Sequence, residues 1–153
     1  FQILEELLLV KGMTQEIFDK ASMHLTVYGN GKVNLNTAGK CVLRALGMSD
    51  TLADKLIQFR RGNDSREATA DDNIFESAGS AATALSSGVS LAAEEADQFN
   101  GVVASGLVDV RSDHFRGESH AELRYDDEDE ARLTTKIVFV LDRGKNMRYW
   151  REQ

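Results

Sequence analysis

The sequence predicts an α+β chain, with paired helix-hairpin-helix units first and an antiparallel β-meander last. Three observations carry this. Apolar residues recur at helical spacing on both sides of Gly47, a second copy of that pattern surrounds Gly12, and apolar residues alternate with polar ones over 132–141. The spacing predicts a helical domain over 1–106 and a sheet domain over 107–153.

The clearest helical unit spans 33–61. Ala38, Cys41, Val42, Ala45 and Leu46 fall at i, i+3, i+4, i+7 and i+8, so they share one helix face, which is predicted to be buried with Cys41 as an inert structural thiol. Asn36 and Thr37 are its N-cap candidates, because a side-chain oxygen there accepts from the free amides of the first turn. Gly47 ends it, since glycine takes the left-handed C-cap conformation without a Cβ penalty. Ser49 and Asp50 then cap a second helix whose apolar face is Leu52, Ala53, Leu56, Ile57 and Phe59. Arg60 and Arg61 close it, complementing the helix dipole.

Residues 1–24 read as an earlier copy. A slide of 35 places Leu7, Leu8, Gly12, Met13, Thr14, Ile17 and Lys20 on Val42, Leu43, Gly47, Met48, Ser49, Leu52 and Lys55. A single hairpin of this size buries little, so the two copies are expected to cover each other's apolar faces. Between them, Leu25-Thr-Val-Tyr28 and Lys32-Val-Asn-Leu35 flank Gly29-Asn-Gly31, which reads as a connector more than a sheet.

After Arg61 the composition changes. The run 77–90 is almost entirely Ser, Ala, Gly and Thr, which predicts a mobile loop with too little apolar surface to fix it. A helix-compatible pattern resumes over 91–103 and weakens at Gly101. The last third predicts strands over 107–115, 119–125, 132–141 and 147–150. In the third of these, Leu133, Thr135, Ile137, Phe139 and Leu141 form the predicted buried face.

Charge and chemistry exclude several functions. The net charge is −7, and it is unevenly placed: 1–62 carry 8 basic and 6 acidic groups, 63–106 carry 1 and 8, and 107–153 carry 9 and 11. Such a balance argues against a sequence-independent grip on nucleic acid, which needs cations to displace counterions. Helix-hairpin-helix units do bind DNA through turn amides aimed at phosphates. Here the turns are Gly12-Met-Thr14 and Gly47-Met-Ser49, each lacking the second glycine of a Gly-x-Gly turn, although Lys11, Lys20, Arg44, Lys55, Arg60 and Arg61 lie nearby. A DNA-binding module of the competence type is therefore the alternative reading.

No zinc-ligand spacing links His24, His114 and His120 with Cys41. The acidic stretches suit calcium, a hard cation that takes several oxygens from a loop, with Asp64, Asp71 and Asp72 in one place and Asp126, Asp127 and Asp129 in another. Neither stretch has the spaced ligands and internal glycine of an EF-hand loop, and a run of like charge at a hairpin tip also reads as a solvated turn. There is no Gly-x-Ser-x-Gly elbow, Walker loop or Rossmann fingerprint, so the chain reads as non-catalytic. No apolar run reaches the roughly 18 residues of a membrane span. Because the chain starts at Phe1, inside a helical pattern, it is expected to be an excised fragment.

Several stretches together resemble general secretion pathway protein K, the large minor pseudopilin of type II secretion. They are Glu6-Leu-Leu-Leu-Val-Lys-Gly-Met-Thr14, Leu25-Thr-Val-Tyr-Gly29, Lys32-Val-Asn-Leu-Asn-Thr-Ala38, Asp71-Asp-Asn-Ile-Phe75, Val110-Arg-Ser-Asp-His-Phe115 and Tyr149-Trp-Arg-Glu152. The resemblance implies a SAM-like helical domain inserted into a pilin-like fold, in the periplasmic part of an inner-membrane protein. It also implies a non-catalytic role at the pseudopilus tip beside other minor pseudopilins, with calcium as a possible ligand of unassigned position. Gly39 stands where the family often has proline, and the chain has no proline. In a pilin fold the sheet packs on an N-terminal helix, so some of Val138, Phe139, Val140 and Trp150 is expected to lose its cover here. The chain's own helices or self-association would then supply it.

Overall fold

A computed structural model describes residues 1–123 and 133–152. The described residues form two compact units, Phe1–Arg111 and Ser112–Gln153, and their secondary structure is mixed α and β.

The first unit opens with a 3₁₀ helix, Leu4–Leu9, followed by α1 (Gln15–Ser22), β1 (Val33–Asn34), α2 (Lys40–Ala45) and α3 (Asp50–Arg60). It continues with α4 (Ala81–Gly88), α5 (Ala93–Ala104) and β2 (Val108–Asp109). Its centre is α3, where Leu52, Ala53 and Leu56 are fully buried. The Ser49 hydroxyl caps that helix by accepting from the Leu52 amide at 3.2 Å, and Gly47 ends α2 with φ +96°.

The predicted apolar face of α2 is rotated. Leu43 is its buried residue, Cys41 and Ala45 are exposed, and the helix starts at Lys40 with Gly39 at the N-cap. A six-residue helix is too short for its period to fix which side faces inward, and here the packing of Leu43 and Met48 decides it. Cys41 is therefore a surface thiol, not a core residue.

Two further expectations are corrected in this unit. The two hairpins do not cover each other: the hydrophobic core contains no residue before Val33, and neither the 3₁₀ helix nor α1 has a buried residue. The run predicted as a mobile loop is instead a helix, α4. Ala81 and Leu85 lie at i and i+4 and are fully buried, and the small side chains allow close approach. A Cβ on Gly88 would come within 2.5 Å of the Phe59 ring. Two buried contacts and a close backbone thus replace the apolar surface that the composition lacks.

The expected connector is partly strand. β1 and β2 pair in parallel, Val33 with Val108 and Asn34 with Asp109, so the two ends of the helical core are tied together. For that reason the 107–115 run does not form one strand, and β2 belongs to the first unit.

The second unit is an antiparallel meander of β3 (His114–Leu123), β4 (Leu133–Asp142) and β5 (Met147–Glu152), in that spatial order. The burial of β4 reverses the expectation. Val138 and Val140 are its buried residues, whereas Ile137, Phe139 and Leu141 on the opposite face are half-buried. Trp150, opposite Phe139, is 59% exposed. Gly117, on the other side of Phe139, leaves room for that ring, which a Cβ would strike.

The β4–β5 turn is organised by Asp142. Its carboxylate accepts from the Asn146 side-chain amide at 3.0 Å, the Asn146 backbone N–H at 2.8 Å and the Arg148 guanidinium at 2.7 Å. The Asn146 bonds, followed by Arg148, hold its pKa down at about 2. A depressed carboxylate stabilises above its unfolded value, about 3.9, and that contribution disappears as pH falls through the folded value. Acid titration of the sheet is expected to lose stability between about pH 4 and pH 2, and Asp142→Asn is expected to flatten that part of the curve; a thermal-melt series over pH checks both.

Candidate functional site

The hairpin between α2 and α3 is the nucleic-acid candidate, and its geometry turns inward. Met48, at the tip of the turn, is 4% exposed. The Gly47 amide donates to Arg44 O at 2.9 Å, and the Met48 amide donates to Leu43 O at 3.3 Å. The Ser49 amide donates to the Gln98 side-chain oxygen on α5 at 2.7 Å. The three turn amides are therefore satisfied within the fold.

The basic residues around it are paired as well. Arg44 meets Asp50 at 3.1 Å, and Lys40 meets Asp54 at 2.8 Å, which raises the lysine pKa. Lys55 meets Glu95 at 2.6 Å and also donates to Ser90 O. Lys55 and the Ala92 amide hold the Glu95 carboxyl below its usual range, and the pair fastens α3 to α5. Arg61 and Arg60 both meet Glu67 at 3.4 Å, and Lys20 meets Glu16 at 2.7 Å within α1. Five of the six candidate cations thus have a carboxylate partner, which opposes the counterion release that drives DNA binding, and Lys11 has no ion pair among the described residues.

The upstream hairpin is open. Gly12 has φ +94°, and Thr14 caps α1 by accepting from the Ile17 amide. Leu9 is 86% and Met23 77% exposed, so apolar side chains face solvent here.

Two polar residues whose importance the sequence does not signal organise the core. Asn36 accepts from the Phe75 amide at 2.8 Å and donates to Phe75 O at 2.9 Å and to Val110 O at 3.0 Å. It is thus a bridge between three segments, not an N-cap. Arg60 is 6% exposed, and its guanidinium donates to Leu35 O and Ala38 O at 3.0 and 2.8 Å. Desolvation lowers its pKa, with Glu67 opposing. No periodicity marks either role, because both depend on carbonyls distant in sequence.

The calcium candidates Asp64, Asp71 and Asp72 are brought into one loop, with their oxygens turned to its own backbone. Asp71 accepts from the Thr69 hydroxyl and the Asn63 and Asp64 amides, which hold its pKa below the usual range. Asp72 accepts from the Ala68 amide at 2.7 Å, and Asp64 from the Arg66 amide at 2.8 Å. Asp126, Asp127 and Asp129 lie outside the described residues. Among the described residues no group of three or more His, Cys, Asp and Glu side chains is placed to hold a metal, and no helix is long and apolar enough to cross a membrane. No protein-family model, curated protein or solved structure matches the chain.

Proposed function

We propose that this chain is a periplasmic part of a minor pseudopilin of the type II secretion system. It acts at the pseudopilus tip in protein export across the outer membrane, presenting binding surfaces to other minor pseudopilins and carrying out no catalysis. The supporting observation is the order of the chain: a helical unit built on a helix-hairpin-helix, then an antiparallel three-stranded sheet that ends in Tyr149-Trp-Arg-Glu152. The quoted sequence stretches fall along it in the order that the resemblance to protein K implies. The SAM-like and pilin-like assignments of the two units belong to the same proposal.

The inward hairpin supports a structural role for α2 and α3. The surfaces left for a partner are the exposed apolar side chains of the upstream hairpin and the sheet face bearing Phe115 and Trp150, 50% and 59% exposed. The competing DNA-binding reading is tested by fluorescence anisotropy with duplex DNA at low salt. No binding is expected into the high-micromolar range, and salt-sensitive micromolar binding overturns the secretion reading.

A further inference from the structure

The chain contains two Asn-Gly pairs, Asn30-Gly31 and Asn100-Gly101, and the fold treats them oppositely. An asparagine followed by glycine is open to one intramolecular reaction, attack of the glycine nitrogen on the asparagine side-chain carbonyl, because glycine has no side chain to obstruct it. The attack needs a glycine amide free of other hydrogen bonds and a carbonyl carbon held within its reach.

Asn30-Gly31 meets both needs. The two residues are exposed in the connector before β1, and among the described residues the Gly31 amide donates no backbone hydrogen bond. The Lys32 amide donates to Asn30 Oδ1 at 3.0 Å, an Asx turn. That bond closes a ring that contains both the attacking Gly31 nitrogen and the Asn30 Cγ. It also polarises the carbonyl, and it places a donor on the oxygen where negative charge develops as the nitrogen adds.

The other candidates fail on one count or the other. Gly101 lies inside α5, where the helical ladder holds its amide, and its own carbonyl accepts from the Ser105 amide at 3.0 Å. Asn34 has the same side-chain bond as Asn30, from the Asn36 amide at 2.9 Å, but its neighbour is the fully buried Leu35. The Leu35 amide is taken by Asp109 O at 2.8 Å in the β1–β2 pairing. Of the three, only Asn30 combines a following glycine, an unbonded amide and a polarised carbonyl.

We propose that Asn30 is a self-modification site, which deamidates in the folded protein. The Gly31 nitrogen gives its proton to hydroxide and bonds to Asn30 Cγ. The bond from Cγ to Nδ2 breaks, and ammonia leaves with a proton taken from water, so a succinimide remains. Water then adds to either ring carbonyl and opens it to aspartate or to isoaspartate. Net, one water enters and one ammonia leaves. The product places a negative charge in the connector between the upstream hairpin and β1, and isoaspartate also lengthens the main chain there. The hydrophobic core contains no residue before Val33, so the modified chain is expected to keep its melting temperature. The reaction is independent of the secretion reading.

Incubation of the whole folded chain at mildly alkaline pH, followed by digestion in mild acid and peptide mass spectrometry, tests it. The peptide containing Asn30 is expected to gain one mass unit and to separate into two isomers. The peptide containing Asn100 is expected to convert about tenfold more slowly or less, since its amide is released only by local opening of α5. In urea, where both amides are free, the two are expected to convert at similar rates. Asn30→Gln changes an exposed residue and is expected to keep the fold. It should remove most of the isoaspartate, measured by methyl transfer from S-adenosylmethionine with an isoaspartyl methyltransferase. A folded chain whose Asn30 stays intact while the unfolded chain converts, equal rates at Asn30 and Asn100 in the folded chain, or an Asn30→Gln variant that forms as much isoaspartate as the parent would each overturn the proposal.

Discussion

Arg60→Met is expected to destabilise the helical unit by about 3 kcal/mol, lowering its melting temperature by roughly 10–20 °C. Methionine replaces the aliphatic stem, so packing is nearly kept. What is lost is the pair of charge-assisted bonds to Leu35 O and Ala38 O, in a residue only 6% exposed. Two buried carbonyls are then left without their donor, at about 1–3 kcal/mol each before relaxation. Glu67 contributes far less. It is 56% exposed and 3.4 Å away, so Glu67→Gln is expected to cost under about 1 kcal/mol. Arg60→Lys should fall between, because both bonds come from one nitrogen, Nη1, and an ammonium can take that place only at the end of a shorter side chain. Urea denaturation of the three variants separates the cases. A neutral or stabilising Arg60→Met would show that desolvation of the guanidinium outweighs its bonds.

Phe75→Ala is expected to cost about 4 kcal/mol, in the range for a large side chain removed from a packed core. Phe75 is 2% exposed and stacks on Phe59 with centroids 5.0 Å apart at 30°, and the tilted Phe99 ring lies 6.4 Å from it. It is also the single core residue between α3 and α4, where the other ties of the segment are polar, from Asn73 to the Arg60 and Phe59 carbonyls and from Glu67 to Arg60 and Arg61. Asn36 grips its backbone at both the amide and the carbonyl. Asn36→Ala is expected to cost about 2 kcal/mol from the lost bonds. Because the two residues restrain the same segment, the double variant should be less destabilised than the sum. Additive costs, measured in a double-mutant cycle, would mean that Asn36 and Phe75 act independently.

The parts of this fold legible in the sequence are those with a local cause. The cap at Ser49, the stop at Gly47, the apolar face of α3 and the position of α5 follow from short-range spacing and turn chemistry, and the structure places them as expected. α4 was not legible, because its stability comes from Ala81, Leu85 and the approach of Gly88 to Phe59, a contact 29 residues away. The Leu43 face of α2 is not legible because six residues define a period poorly. In β4 the alternation predicts the strand, but both faces carry apolar residues, so period 2 alone cannot choose Val138 and Val140 as the buried ones. Around the candidate site, the sequence shows the missing second glycines but not the pairing of the turn amides. The Gln98 side chain that occupies the Ser49 amide had no sequence signal.

The most direct measurement of function mixes the chain with the purified soluble domains of the two other minor pseudopilins of a type II secretion tip. Assembly is followed by size-exclusion chromatography with light scattering. A tip subunit should elute in one complex with both partners at micromolar concentration. A chain that elutes without either of them at every concentration, with the sheet and helices intact by circular dichroism, would contradict its assignment to the secretion pseudopilus.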